Sequence, residues 1–328
     1  MSTIFPPSDE NLRRAVRLLR AGQLVSFPTE TVYGLGGDAS NPEAVTRIFE
    51  AKGRPADHPL IVHLAGAEQL GEWARIVPQQ ATILAQAFWP GPLTIVLERA
   101  PAVPLEVTGG QDTVALRVPA HPVAQRLLAS FGGGLAAPSA NPFGRLSPTT
   151  AQHVAEQLGG RVAAILDGGP TEVGVESTIV DLSSGTPRIL RPGGVGRHEI
   201  AALLGSELGP VPTVGAPRVP GSLERHYSPG CPVELVAAAR LEALAARGAF
   251  SVLARRSAPI DFEGNWRRLP DEAGGYARGL YAALHELDRA GLPILVEEPP
   301  EGPEWEAVRD RLRRASAGRR AVAGEGTK

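Results

Sequence analysis

Between Leu24 and Gly53 the sequence prescribes a strand, a loop and a helix, in that order. Leu24 to Phe27 is an apolar run stopped by Pro28, the signature of a buried strand. Asn41 followed by Pro42 supplies a side-chain cap and a first-turn proline, so a helix starts there. Val45, Ile48 and Phe49 follow at i, i+3, i+4 spacing, which gives that helix one buried stripe. Gly53 is placed to end it in a left-handed cap. Thr29 to Asp38 then form the loop on one side of the helix, and Lys52 and Arg54 bracket its exit on the other.

Plain explanations exist for each part. A cation at a helix exit complements the helix dipole, and glycines turn the chain. Gly34, Gly36 and Ala39 have the spacing of a dinucleotide fingerprint, but that motif needs its glycines directly between strand and helix. Here a polar TETVY and a late helix start intervene. Lysine usage points elsewhere. Of 33 Lys and Arg residues only Lys52 and Lys328 are lysine, so a compact ammonium has been kept at position 52 in a chain that otherwise uses the planar guanidinium.

A chain of 328 residues with 43% hydrophobic content can bury one long core or two ordinary ones. A net charge of -2 argues against wholesale electrostatic binding of nucleic acid, though not against a local basic patch. A single cysteine, Cys231, excludes a disulfide framework and a cysteine metal site, as suits a reducing cytoplasm. The N-terminus has no basic segment followed by an apolar core, and no apolar run reaches membrane length. The expectation is a cytoplasmic protein with no membrane contact.

Periodicity gives further elements: a helix over 9–21, strands at 60–64 and in WPGPLTIVLE, and helices over 67–76, 80–88 and 123–130. Val114, Leu116 and Val118 alternate, so Thr113, Ala115 and Arg117 share the opposite strand face. A strand at 135–137, a helix capped by Thr149 or Thr150 and strands at 164–166, 178–182 and 188–190 follow. From 209 to 231 the composition turns to Pro, Gly and Val without period, which marks a linker. Beyond it VELV, FSVLA and PILVEE alternate with helices, the pattern of a small α/β domain with parallel strands. The expected layout is a catalytic domain at 1–208, a linker at 209–231 and an α/β domain at 232–328, with the terminal AVAGEGTK frayed.

The strings PTETVYGLGGDA, KGRP, HPLIVHL, FWPGPLTIVL, DTVALRVPAHP, APSANPFGRLSPTTAQHV, VESTIVDLS and ILRPG, in that order over residues 23 to 195, resemble the YrdC/Sua5 family of threonylcarbamoyl-AMP synthases. HYSP at 226 to 229, with the α/β segment after it, is similar to the two-domain Sua5 type. The resemblance implies a twisted mixed sheet with helices, plus a smaller Rossmann-like C-terminal domain.

It also implies a site. ATP would lie against Lys52, Arg54, Thr113, Ser139, Asn141, Ser147, Arg191 and Tyr227, and against His58, where the family usually has Asn. L-threonine would lie against Thr31, His63, Arg117, the backbone at Ala137, and Ser177. Lys52 and Arg54 suit polyphosphate and Arg117 suits a carboxylate, because charge-assisted bonds are strong and a guanidinium fork matches two oxygens. No Walker motif is present to take that role. Glu30, Asp38 and Glu176 are carboxylates able to hold magnesium through water, though their spacing matches no ligand motif. Singly, each polar residue has an ordinary structural reading: Ser139 and Asn141 as a turn, Ser147 near a cap, His63 as a core histidine.

By resemblance the reaction joins L-threonine, bicarbonate or CO2 and ATP, with Mg2+, into threonylcarbamoyl-AMP and pyrophosphate. A separate transferase would then use the product to modify adenosine 37 of certain tRNAs. Two alternatives stand beside it. The same fold could serve as an RNA-binding module that contacts tRNA, with the basic run from Arg309 to Arg320 as its patch, although no aromatics interleave there for stacking. It could also carry carbamoyl-adenylate chemistry, as in hydrogenase-maturation proteins.

Overall fold

The computed structural model describes residues 4–211 and 215–317. The chain forms two compact units, one of residues up to Phe143 together with Ser147–Ser222, the other of Gly144–Leu146 with Leu223 onward.

In chain order the first unit contains β1 (Ile4–Phe5), α1 (Asp9–Arg20), β2 (Val25–Phe27), β3 (Gly34–Asp38), α2 (Pro42–Lys52) and β4 (Ile61–His63). Next come α3 (Leu70–Trp73), α4 (Gln79–Phe88), β5 (Leu93–Glu98), α5 (Leu105–Thr108), β6 (Thr113–Arg117), α6 (Pro122–Phe131) and β7 (Leu135–Ala136). It closes with α7 (Ala151–Leu158), β8 (Ala164–Leu166), β9 (Thr178–Asp181), β10 (Arg188–Arg191) and α8 (Arg197–Leu204). Its strands make one mixed sheet in the order β1-β8-β2-β3-β7-β4-β6-β5-β9-β10.

Local chemistry accounts for the elements around the centre. Asn41 caps α2 by accepting from the amides of Glu43 and Ala44, and Gly53 ends it at φ +61°. Val45, Ile48 and Phe49 face the core as their spacing requires, and each buried side chain of this size contributes about 1.5–3 kcal/mol. Thr150, not Thr149, caps α7 by accepting from His153 N. α3 is shorter than the periodicity suggests: a 3-10 turn over Ala67–Gln69 precedes it and it stops at Trp73.

One element contradicts the sequence reading. Gly34 to Asp38, expected as the end of a loop, is β3, paired antiparallel with β2 through Val25 opposite Gly36 and Phe27 opposite Gly34. Glycines disfavour strands in general, and here close packing is the reason for them. A Cβ on Gly36 would stand 2.7 Å from the Phe27 ring, and one on Gly37 3.1 Å from Ile48. TETVY is therefore the short connection of a hairpin buried on all sides.

The second unit contains β11 (Val233–Val236), α9 (Ala238–Ala245), β12 (Ser251–Ala254), β13 (Asn265–Arg268), α10 (Ala273–Asp288), β14 (Ile294–Glu297) and α11 (Glu306–Ser316). Its strands are all parallel in the order β11-β14-β12-β13. The short, mostly exposed edge strand β13 carries no apolar pattern and escaped the sequence reading. Within the basic run, Arg311, Arg313 and Arg314 converge on Asp310, and Arg311 is buried. Asp310 thus neutralises part of the run, while Arg313 stays largely exposed. Residues 318–320 of that run and the AVAGEGTK tail lie outside the described residues. No helix among the described residues is long and apolar enough to cross a membrane.

Candidate active site

Lys52 is the last residue of α2, and its position there buries the ammonium under the turn Ala137–Asn141. Nζ donates to the carbonyls of Ser139 and Asn141, both at 2.6 Å. An ammonium has three hydrogens, so one remains for a ligand. Burial, then the charges of Arg54 and Arg161, push the Lys52 pKa well below the ordinary lysine value. A cation under that pressure gains strongly from an arriving anion, which would restore its affinity for the proton.

Arg54 follows the Gly53 cap. One terminal nitrogen donates to Pro59 O at 2.8 Å, and the guanidinium lies 6.0 Å from the centre of the Phe143 ring. His58 meets the same ring edge-on at 5.3 Å. Partial burial and then the charge of Arg54 lower the His58 pKa, which favours the neutral ring. Phe143 thus joins two expected nucleotide contacts, and sequence reasoning did not single it out. The signal was present: it is the aromatic residue of the APSANPFGR string.

A second cluster sits where β4 and β6 run parallel, in a register that puts His63 beside Arg117. The Arg117 guanidinium donates to Glu30 Oε1 at 2.6 Å, to Thr31 Oγ1 at 3.0 Å and to Gly91 O at 3.2 Å. Glu30 Oε2 accepts from Ala120 N, so both carboxylate oxygens are committed. Glu30 is accordingly the buried counter-ion of Arg117. His63 is buried edge-on against Phe27, and its Nδ1 has no hydrogen-bond partner. Burial, reinforced by the Arg117 charge, lowers its pKa to about 3, so the ring is neutral and can accept a proton donor.

The two clusters are joined by one turn. Ala137 N donates to Ile61 O on the strand that carries His63, while Ser139 and Asn141, two and four residues further on, offer their carbonyls to Lys52. The TETVY connection runs alongside: Leu35 N donates to Pro138 O, Ala140 N to Tyr33 O, and Tyr33 N to Pro148 O.

A third group lies at the start of β9. Ser147 Oγ donates to Glu176 Oε1 at 2.5 Å. Ser177 Oγ bonds Thr94 Oγ1 and accepts from Arg191, whose guanidinium also donates to Ser177 O and to Pro220 O. Arg191 therefore ties the strand to the Pro-rich segment after 209. Val219 of that segment is buried against Ile61, Val96, Ala115 and Ile179, residues that share a sheet face with His63 and Arg117. Thr113 begins β6, four residues and about 13 Å from Arg117. Continuing the β4/β6 register upstream sets it level with Pro59, the acceptor of Arg54.

Tyr227 belongs to the second unit. Its ring is buried between His226, Tyr281 and the Arg311 guanidinium, and its φ of +57° is unusual for a residue with a side chain. Among the described residues no three His, Cys, Asp or Glu side chains stand together as metal ligands. Glu30 accepts from Arg117 and from Ala120 N, Glu176 accepts from Ser147, and Asp38 accepts from Ser40 N.

A family model described as telomere recombination, covering the Sua5, YciO and YrdC proteins, matches residues 17–193. A second, described as the C-terminal domain of threonylcarbamoyl-AMP synthase, matches residues 195–317. The chain belongs to the Sua5/YrdC family. Within that family it is 44% identical over 321 residues to the threonylcarbamoyl-AMP synthase of Pyrococcus abyssi, covering 93% of this chain and 94% of that protein. It is 39% identical over 336 residues to the threonylcarbamoyl-AMP synthase of Bacillus subtilis, covering 95% and 94%. The crystal structure of P. abyssi Sua5 complexed with L-threonine superposes with a TM-score of 0.88 at 42% identity, covering 96% of this chain and 97% of that one. That match spans both the mixed sheet and the parallel sheet, the two-part architecture of the Sua5 type.

Proposed function

We propose that this protein is an L-threonylcarbamoyladenylate synthase, a nucleotidyltransferase acting on L-threonine, bicarbonate or CO2, and ATP. The observation that carries the reading is the turn Ala137–Asn141. Its first residue is fixed to the strand of His63, which pairs with the strand of Arg117, and its carbonyls hold Lys52. A carboxylate-binding arginine and a phosphate-seeking ammonium are thereby kept at fixed separation in one fold. The full-length relatives named for this activity support the same reading.

In this reading each terminal nitrogen of Arg117 keeps one hydrogen for the threonine carboxylate, because Glu30 and Thr31 take the others. Neutral His63 accepts from the substrate through Nδ1, and Thr31, Ser177 and the Ala137 backbone complete the amino-acid pocket. The threonine amine and bicarbonate give an N-carboxylate and water. One carboxylate oxygen then attacks the α-phosphorus of ATP, and the bond to the β-phosphate oxygen breaks to release pyrophosphate. Lys52 and Arg54 neutralise charge on the phosphates, while His58, Thr113, Ser139, Asn141, Ser147 and Arg191 are the further nucleotide contacts. No covalent nucleophile is needed, since positioning and charge stabilisation supply the rate. Magnesium would arrive on the ATP phosphates and is assigned no protein site. The segment over Val219, tied by Arg191, would act as a lid. A separate transferase would take the labile product to tRNA in the cytoplasm.

The test is pyrophosphate release by purified protein with L-threonine and bicarbonate each present or omitted. Release that needs both, with a threonine adduct of AMP among the products, is the expected result. Release with neither, or none at all, would sink the reading.

A further inference from the structure

The three neighbouring strands β14, β12 and β13 of the second unit end at one place. Their last or next residues are Glu297, the pair Arg255-Arg256, and Arg268. With Ser257 and Asp271 they line an open cavity of about 390 Å³. Parallel α/β sheets bind ligands at the carboxyl ends of their strands, and this volume lies within the range of small-molecule sites.

The charge at this edge is arranged around one buried group. Glu297 is 2% exposed. It accepts from Arg255 N at 2.8 Å, from the Arg255 guanidinium at 3.0 Å and from the Arg256 guanidinium at 3.2 Å. Arg268 is braced by donating through Nε to Arg255 O at 3.0 Å. Glu297 is thus consumed in orienting arginines. Asp271 is two-thirds exposed and reaches Arg268 only at 3.8 Å, which makes it a weak competitor. Glu242 reaches Arg256 from beside the cavity at 3.7 Å. The Arg255 Nε hydrogen is buried without a partner, and so is the Tyr276 hydroxyl, close enough to Glu297 and Arg255 to feel both charges. The terminus of α10 follows β13 by a short loop but is capped by Glu272, so the arginines and not the helix dipole carry the positive potential.

We propose that this arginine cavity at the carboxyl edge of the second unit's sheet binds the phosphate group of a small soluble ligand, a nucleoside monophosphate or pyrophosphate. Three guanidinium groups, two fixed by the buried Glu297 and the third by the Arg255 carbonyl, match the several acceptor oxygens of a phosphate, which a single carboxylate ligand would leave underused. The proposal is independent of the chemistry assigned to the first unit.

Trp266 reports on the site, because its indole N–H donates to Arg256 O at 2.9 Å. The full-length protein labelled with fluorotryptophan, its Trp266 resonance assigned through Trp266→Phe, is titrated with AMP and separately with pyrophosphate and followed by fluorine NMR. A saturable shift of the Trp266 resonance with either compound is expected. The double variant Arg256→Gln/Arg268→Gln should weaken that response at least about tenfold, the scale of one or more lost charge-assisted bonds. Both arginines are half exposed and Arg255 still satisfies Glu297, so the variant should keep its melting temperature. Failure of both compounds to move the resonance, or an equal response in the double variant, would overturn the proposal. So would a response to an RNA oligonucleotide alone, which would make the edge a polynucleotide contact instead.

Discussion

Arg117 and Glu30 form an ion pair at 2.6 Å with both side chains more than nine-tenths buried. Such a pair costs much desolvation, and removing one partner leaves an uncompensated charge, typically at 3–5 kcal/mol. Glu30→Ala should therefore destabilise the protein by about that amount. Arg117→Met should destabilise it similarly, and the double change Glu30→Met/Arg117→Met should recover most of the loss without restoring L-threonine binding. Denaturant unfolding of the three variants, with threonine binding by calorimetry, measures both. Full additivity of the two single losses would show that the residues do not act as a pair.

Lys52 has its pKa pushed down by burial and by Arg54 and Arg161. ATP phosphates at its free hydrogen would raise that pKa again, so nucleotide binding should take up protons at pH values between the depressed value and the ordinary one. Calorimetry in buffers of different ionisation enthalpy reads the uptake directly. Lys52→Ala should abolish both the proton uptake and pyrophosphate release while leaving the far-UV spectrum intact. A fully active Lys52→Ala enzyme would remove the residue from catalysis.

His63 is neutral when folded, with a pKa near 3, against an unfolded value of 6.5. Below pH 6.5 the unfolded chain binds a proton that the folded chain does not, so stability falls as pH drops from 6.5 towards 3. At one pKa unit per 1.36 kcal/mol, the loss by pH 4.5 is at most about 3 kcal/mol from this residue. His63→Phe cannot titrate and should flatten that part of the acid limb in chemical denaturation series. An unchanged limb would show that other groups set it.

Arg191 holds the Pro-rich segment through Pro220 O at 3.0 Å and the β9 start through Ser177 O. Arg191→Lys keeps the charge but loses the fork that reaches both acceptors. Faster limited proteolysis within residues 215–222 is expected, together with a raised KM for ATP. Equal cleavage rates in variant and parent would deny Arg191 its fastening role.

Much of the fold was written locally. The cap at Asn41, the stripe of Val45, Ile48 and Phe49 and the exit at Gly53 depend on neighbours within one or two helical turns, and the structure matches each. Alternation along β6 likewise set Thr113, Ala115 and Arg117 on one face. The family motifs, with HYSP and the α/β segment after it, pointed to the family and to its two-part architecture.

Tertiary structure decided the rest, because those features depend on partners distant in sequence. Gly34 to Asp38 is a strand because it pairs with β2 and with β7, and the Phe27 ring and Ile48 leave room only for glycine at positions 36 and 37. Glu30 is the counter-ion of Arg117 because β6 and the turn after it bring Arg117 and Ala120 to it across about ninety residues. Lys52 is buried, with its pKa pushed down, because a turn from another part of the chain folds over it. Sequence determined which groups the chain carries and which short segments fold locally, whereas their charge states and partners were set by burial and long-range contact.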